Sequence, residues 1–410
     1  AESSNDKPYT PADIEIATNG RIYIGTMENL DFEGGATILY SDTGITGSWT
    51  IYNHYNGVIS NTSYYNIPAR TLVSSSPSDP NVVYAQFAAG YTSGFVYYRG
   101  RYMAKSDDSG ETWSEIPIPD SDWTTLAWHA FVLKIDPNDA NTIYTGGLDL
   151  WKSTNGGANW NHISDWVLMY YNGGDDYVHA DQHNIQFNPG SSNSAIFGSD
   201  GGVFLTNTAN YTFPVFIERN QGYNTLQFYT AAIKPVSFSQ RYIGGLQDNG
   251  TLYHTGEPLD INDMIDYGDG AFCFWDENEP GIFITSVYNN SYSVWNNNNK
   301  LSGFGGNSGT FISPADYDYN ENILYSNAVG SFGGNTDKLL RASGIPYNVN
   351  TQLVSLGTGI DVPFSHISYS PFSPEGTSTL FVGSQSGRLY KVINAQGTPE
   401  TEEIGSTDFP

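Results

Sequence analysis

The sequence predicts an all-β fold, a β-propeller of four-stranded antiparallel blades, and three observations carry that prediction. The 410 residues include 30 Tyr, 21 Phe and 9 Trp beside 44 Gly, a balance that favours short strands and tight turns over helices. One phrase recurs along the chain: a turn rich in Pro, Asn and Asp, an apolar–aromatic pair, then small residues. It reads "SPSDPNVVYAQ", "DPNDANTIYTGG" and "NPGSSNSAIFGS" in the first half, and "DENEPGIFITS", "DYNENILYSN" and "SPEGTSTLFVGS" in the second. Each phrase is also flanked by strand-like runs, such as "AFVLKIDP" or "HNIQFNP" before it and "RYMAKS", "DLWKS" or "GVFLT" after it.

The landmark aromatics of the phrase are Tyr23, Tyr84, Tyr144, Phe197, Tyr242, Phe283, Tyr325 and Phe381. Their spacing, about 51 residues on average, marks a repeat architecture. A strand ahead of the turn, the landmark strand, a third strand after the small residues and a weaker fourth compose a propeller blade. Eight landmarks predict eight blades in one array over residues 1–410. The irregular stretch "NNSYSVWNNNNKLSGFGGNSG" makes seven blades with an insertion the runner-up.

Composition narrows the partners. The formal net charge is −27, so nucleic acid and anionic membranes are repelled and cations attracted, calcium above all. No run reaches the roughly 18 apolar residues of a membrane span. Cys273, the sole cysteine, lies in "AFCFW" and reads as a buried thiol. The opening "AESSNDKPYTP" has neither Met nor an apolar leader. It reads as a processed or excised part of a longer secreted protein, and the low Lys+Arg count of 16 is compatible with an extracellular setting.

A sharper motif introduces the fourth strand twice. "SDDSGETW" runs from Ser106 to Trp113 and "STNGGANW" from Ser153 to Trp160; both fit S-x-[DN]-x-G-x-x-W, and "SDTGITGSW" from Ser41 is a stretched version. Ser and Asp side chains bond nearby amides, Gly supplies a positive φ, and Trp packs on the sheet, so Trp113 and Trp160 are expected to be mostly buried and structurally equivalent, one blade apart. The motif resembles the Asp-box, or bacterial neuraminidase repeat, of sialidases, sortilin-type receptors and glycoside hydrolase family 74. With "HADQH", "GSDGG" and "GLQDNGT", the chain resembles a group of secreted Bacteroidetes propellers known as repeat-containing glycosyl hydrolases. The resemblance implies the fold, and it covers catalytic and non-catalytic proteins alike.

Topology then sorts the polar residues, because a first strand starts on the same face as the turn between second and third strands. First-strand starts carry Arg70, His129, Asp269 and His366, and "HADQH" supplies His179, Asp181 and His183. The second-to-third turns carry Asp149, Asp200, Asp248 and Asn249. These residues are expected to rim one mouth of a central channel, a concave place where ligands bind. "SDGG" and "QDNG" also read simply as hairpin turns. In an extended strand His179 and His183 would stand about 13 Å apart, too far to share one ion with bonds of about 2.1 Å; only a pair including Asp181 could. Asp316, Asp318 and Asn320, alternating in "ADYDYNEN", are the calcium candidates, although the loop lacks the Gly of a calcium-binding hand.

The functional expectation is a secreted or cell-surface propeller that binds a glycan or a cell-surface protein at the channel mouth, without nucleic acid and without membrane insertion. The alternative is a glycoside hydrolase that pairs two of Asp181, Asp200 and Asp248, one protonated and one ionised. Family 74 enzymes place their aspartates in a cleft between two propellers, whereas this chain carries the repeats of one. A sialidase is disfavoured, because that chemistry implies an arginine triad and no "RIP" stretch precedes the boxes.

Overall fold

The computed structural model describes residues 7–405 except 94, 224, 258–259 and 332. Eight four-stranded antiparallel sheets make up the fold, each with its strands in chain order, the count of an eight-bladed propeller. The landmark aromatics all fall on second strands: Ile22–Met27, Val83–Ser93, Ile143–Gly146, Ala195–Ser199, Tyr242–Leu246, Ile282–Val287, Ile323–Asn327 and Leu380–Ser384. The irregular stretch after the sixth landmark is ordered as the third and fourth strands of blade 6, Ser291–Asn296 and Asn299–Gly305, which rules out the seven-blade runner-up. Blades 1–4 and blades 5–8 form two compact units that divide between residues 223 and 224.

Burial explains the order of strands within a blade. Most second strands are largely buried, as in the wholly buried Ile323–Asn327, although Ile196 and Phe381 on those of blades 4 and 8 are exposed. Fourth strands, such as Ser114–Ile116 and Asn350–Ser355, are mostly exposed. The apolar core lies between blades rather than within them. Tyr23, Ile38, Val83 and Phe87 pack blade 1 on blade 2, and Tyr144, Phe187, Phe197 and Phe204 pack blade 3 on blade 4. Such burial is the main favourable term in folding.

Why the landmark is tyrosine in blades 1–3 follows from the hydroxyl. Tyr23 donates to the Ser109 carbonyl at 2.8 Å, Tyr84 to Ala140 at 3.0 Å and Tyr144 to Ala209 at 2.6 Å. In each case the acceptor belongs to the next blade, so one side chain fills the core and ties adjacent sheets. Burial, the chief cause, pushes the Tyr23 hydroxyl up to about 12, which keeps it a neutral donor. Lys152 joins the third of these ties. It is fully buried, donates to the Ala209 and Tyr211 carbonyls at 2.7 and 2.8 Å, and lies over the Tyr144 ring.

The two Ser-Asx turns between third and fourth strands share one pattern. Ser106 Oγ accepts from the Gly110 amide at 2.8 Å and Asp108 Oδ1 from the Thr112 amide at 2.8 Å. Ser153 and Asn155 repeat this with Gly157 and Asn159, both at 2.9 Å. Gly110 has φ +83°, and a Cβ there would come within 2.9 Å of the Tyr23 ring of the previous blade. The expectation of mostly buried tryptophans needs correction. Trp113 and Trp160 are only partly buried, because each caps the outer edge of its sheet. Their indole N–H groups also differ: Trp113 donates to Gly110 of its own turn, Trp160 to Pro117 of the preceding blade.

Five first strands carry a bulge near their start, in blades 1, 2, 4, 5 and 8. A bulge re-aims the extra residue's side chain. The residues displaced from register include Arg70 and His183, two of the expected polar residues, and Tyr229.

Candidate functional site

In the first unit, three backbone segments converge on Asp200. Its carboxylate sits in the tight turn between the second and third strands of blade 4. His129 arrives from the turn ahead of the first strand of blade 3, Val132–Ile135, and its Nε2 lies 3.1 Å from Asp200 Oδ2. His183 arrives from the bulged first strand of blade 4, Gln182–Phe187, and its Nε2 is hydrogen-bonded to Asp200 Oδ1. The two imidazoles meet edge to face, with centroids 4.6 Å apart. The group is about one-third exposed, and Trp128 beside it is 56 % exposed.

Backbone anchors hold these segments. Arg70 donates from Nη1 to the His129 carbonyl at 2.9 Å, so it positions the histidine segment. The Asp200 amide donates to the Asp181 carbonyl at 3.2 Å. Asp181 has φ +64°, which ends the extended run assumed for "HADQH"; the strand begins only at Gln182. Distances based on a fully extended stretch therefore do not apply. His179 is turned aside, its ring packed against Gly201, where a Cβ would approach within 2.2 Å. That close approach requires glycine in the "SDGG" turn, beyond ordinary hairpin chemistry.

Electrostatics separates the two carboxylates. Burial, then the neighbouring Asp200 charge, raises the Asp181 carboxyl above its ordinary range, and Asp181 Oδ1 is buried without a hydrogen-bond partner. Burial also opposes ionisation of Asp200, but the hydrogen bonds and charges of His183 and His129 outweigh it and hold that carboxyl low.

The remaining expected residues form other groups. Asp149 accepts from the Trp166 amide at 2.9 Å and from Ser164 at 3.1 Å, and pairs with His162 at 3.2 Å; it braces its own blade. In the second unit Asp269 accepts from the Asp248 amide at 2.9 Å, Asn249 bonds the Gln247 carbonyl, and both aspartates help raise the Tyr229 hydroxyl after burial has done so. His366 is exposed on the first strand of blade 8, Phe364–Tyr369, and its charge bears on Asp316. Asp318 is buried and accepts from the Asn320 and Glu321 amides and from Ser378. Asp316 accepts from the Tyr317 and Tyr369 amides, and Asn320 bonds the Tyr369 hydroxyl. Protein donors thus already serve the calcium candidates.

Sequence reasoning missed a cavity of about 330 Å³ in the second unit, lined by Cys273, Trp275, Tyr317, Tyr319 and Tyr369 among others. It lies toward the far ends of the first strands. Only the aromatic richness of "AFCFW" and "DYDY" signalled it. Cys273 is buried as expected, and burial pushes its thiol up to about 12.

No known protein-family profile matches the chain. Among curated proteins it is 27% identical over 175 residues to xyloglucanase Xgh74A of Acetivibrio thermocellus, covering 39% of this chain and 20% of that protein. It is 28% identical over 187 residues to a xyloglucanase of Hypocrea jecorina, covering 43% and 22%. The chain is a β-propeller resembling the family 74 xyloglucanases. It spans about a fifth of the length of these relatives. Among solved structures, a GH74 enzyme of Niastella koreensis aligns with 99% of this chain and 68% of its own, at 13% identity and a TM-score of 0.37. Among the described residues, no helix is long and apolar enough to cross a membrane.

Proposed function

We propose that this chain binds a polyhydroxylated glycan at the His129–His183–Asp200 cluster, with Asp181 beside it. The observation that supports this reading is the cluster's setting. A carboxylate and two imidazoles, partly exposed, stand next to the exposed indole of Trp128. Sugar hydroxyls need acceptors and donors together, which carboxylates and imidazoles supply. The apolar face of a sugar ring suits an aromatic platform with one wet side. The likeness to xyloglucanases fits the same reading, and a secreted or cell-surface setting is part of this proposal.

A glycan array including xyloglucan oligosaccharides tests it. Trp128→Ala and Asp200→Asn are each expected to weaken retention at least about tenfold, the loss of one good contact, without lowering Tm. Retention that both variants leave unchanged, or no retention of any glycan, would overturn it.

One observation favours hydrolysis as a second reading: two carboxylates, Asp181 and Asp200, meet in this cluster in a chain similar to xyloglucanases. A hydrolase would release reducing ends from xyloglucan, and Asp181→Asn would abolish release while leaving binding. Binding without release in the wild type rejects this second reading and keeps the first.

A further inference from the structure

We infer that His129, His183 and Asp200 form a binding site for a divalent transition-metal ion of the zinc class. Their donor atoms all lie within 4.8 Å of one another. A tetrahedral ion with bonds of about 2.0–2.1 Å holds its ligand atoms about 3.3 Å apart. His129 Nε2 stands 3.1 and 3.3 Å from the two Asp200 oxygens, and His183 Nε2 is hydrogen-bonded to Asp200 Oδ1. Small side-chain rotations therefore bring three ligands around one ion. Among the described residues no other three His, Cys, Asp or Glu side chains converge in this way.

The donor set selects the class of ion. Two imidazoles and one carboxylate suit Zn²⁺, Ni²⁺, Co²⁺ or Cu²⁺, whereas Ca²⁺ and Mg²⁺ require shells of oxygen. The three ligands come from three separately anchored segments: the His129 turn held by Arg70, the bulged strand of His183, and the hairpin turn of Asp200 fixed to the Asp181 carbonyl. Such anchoring orients ligands before an ion arrives. The partial exposure of all three leaves one side open for water or a ligand oxygen, the pattern of an open rather than a closed zinc site. The chain's formal charge of −27 draws cations to it. Metal binding does not depend on the glycan reading, since the ion alone is the probe.

The test is calorimetric titration of the chelator-treated chain with ZnCl2, NiCl2 and CaCl2, together with the visible absorption of the Co²⁺ form. We expect one equivalent of zinc per chain, a rise in Tm on zinc addition, and a Co²⁺ spectrum of low coordination number. His129→Gln, His183→Gln and Asp200→Asn should each weaken zinc binding at least about tenfold, with circular dichroism and metal-free Tm close to wild type. His162→Gln, outside the cluster, should leave binding intact. The inference is overturned by no zinc uptake in the wild type, by uptake that survives all three substitutions together, or by calcium binding more tightly than zinc. Glycan retention by the chelator-treated chain is scored separately, so either idea can fail alone.

Discussion

Single residues in this chain do two jobs when they sit between blades. Tyr84 fills the core and donates to the Ala140 carbonyl. Tyr84→Phe keeps the ring and removes the bond, so urea unfolding should show a loss of about 0.5–1.5 kcal/mol. Tyr84→Ala should cost roughly 3–5 kcal/mol, as for other buried aromatics. Equal losses from both would show that the ring's packing contributes nothing. His162 gives a pH-dependent counterpart. The hydrogen bond that His162 donates to the Asp149 carboxylate, its largest influence, raises its pKa above the ordinary 6.5. Its contribution to stability is therefore fully present below about pH 6.5 and is lost as pH rises through the raised value. Melting curves of wild type and His162→Gln should differ near pH 5.5 and converge by pH 8.5; a gap that widens with pH would contradict the pairing.

Turns and bulges decide what each element can present. The Ser-Asx turn is an inter-blade device as much as a hairpin closure, because Gly110 lies against Tyr23 and the Ser109 carbonyl accepts its hydroxyl. Gly110→Ala meets both a positive φ and a crowded ring, and should lower Tm more than Gly20→Ala, where φ is also positive but no atom lies within 4 Å of the added carbon. Trp113 is partly exposed, so Trp113→Ala should cost roughly 2–3 kcal/mol in urea unfolding, below the range of a fully buried aromatic. These turns were legible in the sequence because their chemistry is local: Ser, Asx and Gly at fixed offsets bond their own backbone. The pairing of His129 with Asp200 was not, since the partners lie 71 residues apart and nothing in "WHA" points to "SDGG". The left-handed turn at Asp181 was hidden as well, because aspartate adopts that conformation only where context demands it.

At the scale of the molecule, the repeat made the eight sheets readable. Eight landmark aromatics occupy eight second strands because each blade repeats the same four-stranded antiparallel unit. Strand direction alone did not say which of the polar residues touch. Asp149 and Asp200 occupy equivalent turns, and one braces its own blade while the other gathers two histidines. The chain carries an excess of acid, 43 Asp+Glu against 16 Lys+Arg. Self-repulsion of that size weakens the compact state at low ionic strength. Tm should therefore rise between about 10 mM and 150 mM NaCl and do the same with KCl; a salt-independent Tm would show that the charges are too dispersed to matter.

Lys152 gives this architecture a built-in clock. Its ammonium group is sealed between the third and fourth blades by two carbonyls and an aromatic face, so an acylating reagent in solution reaches it only when those blades part. Lys7 and Lys300 stand open to solvent and would label at once. The delay between their modification and that of Lys152, followed by mass spectrometry, would time the breathing of one seam in the native protein.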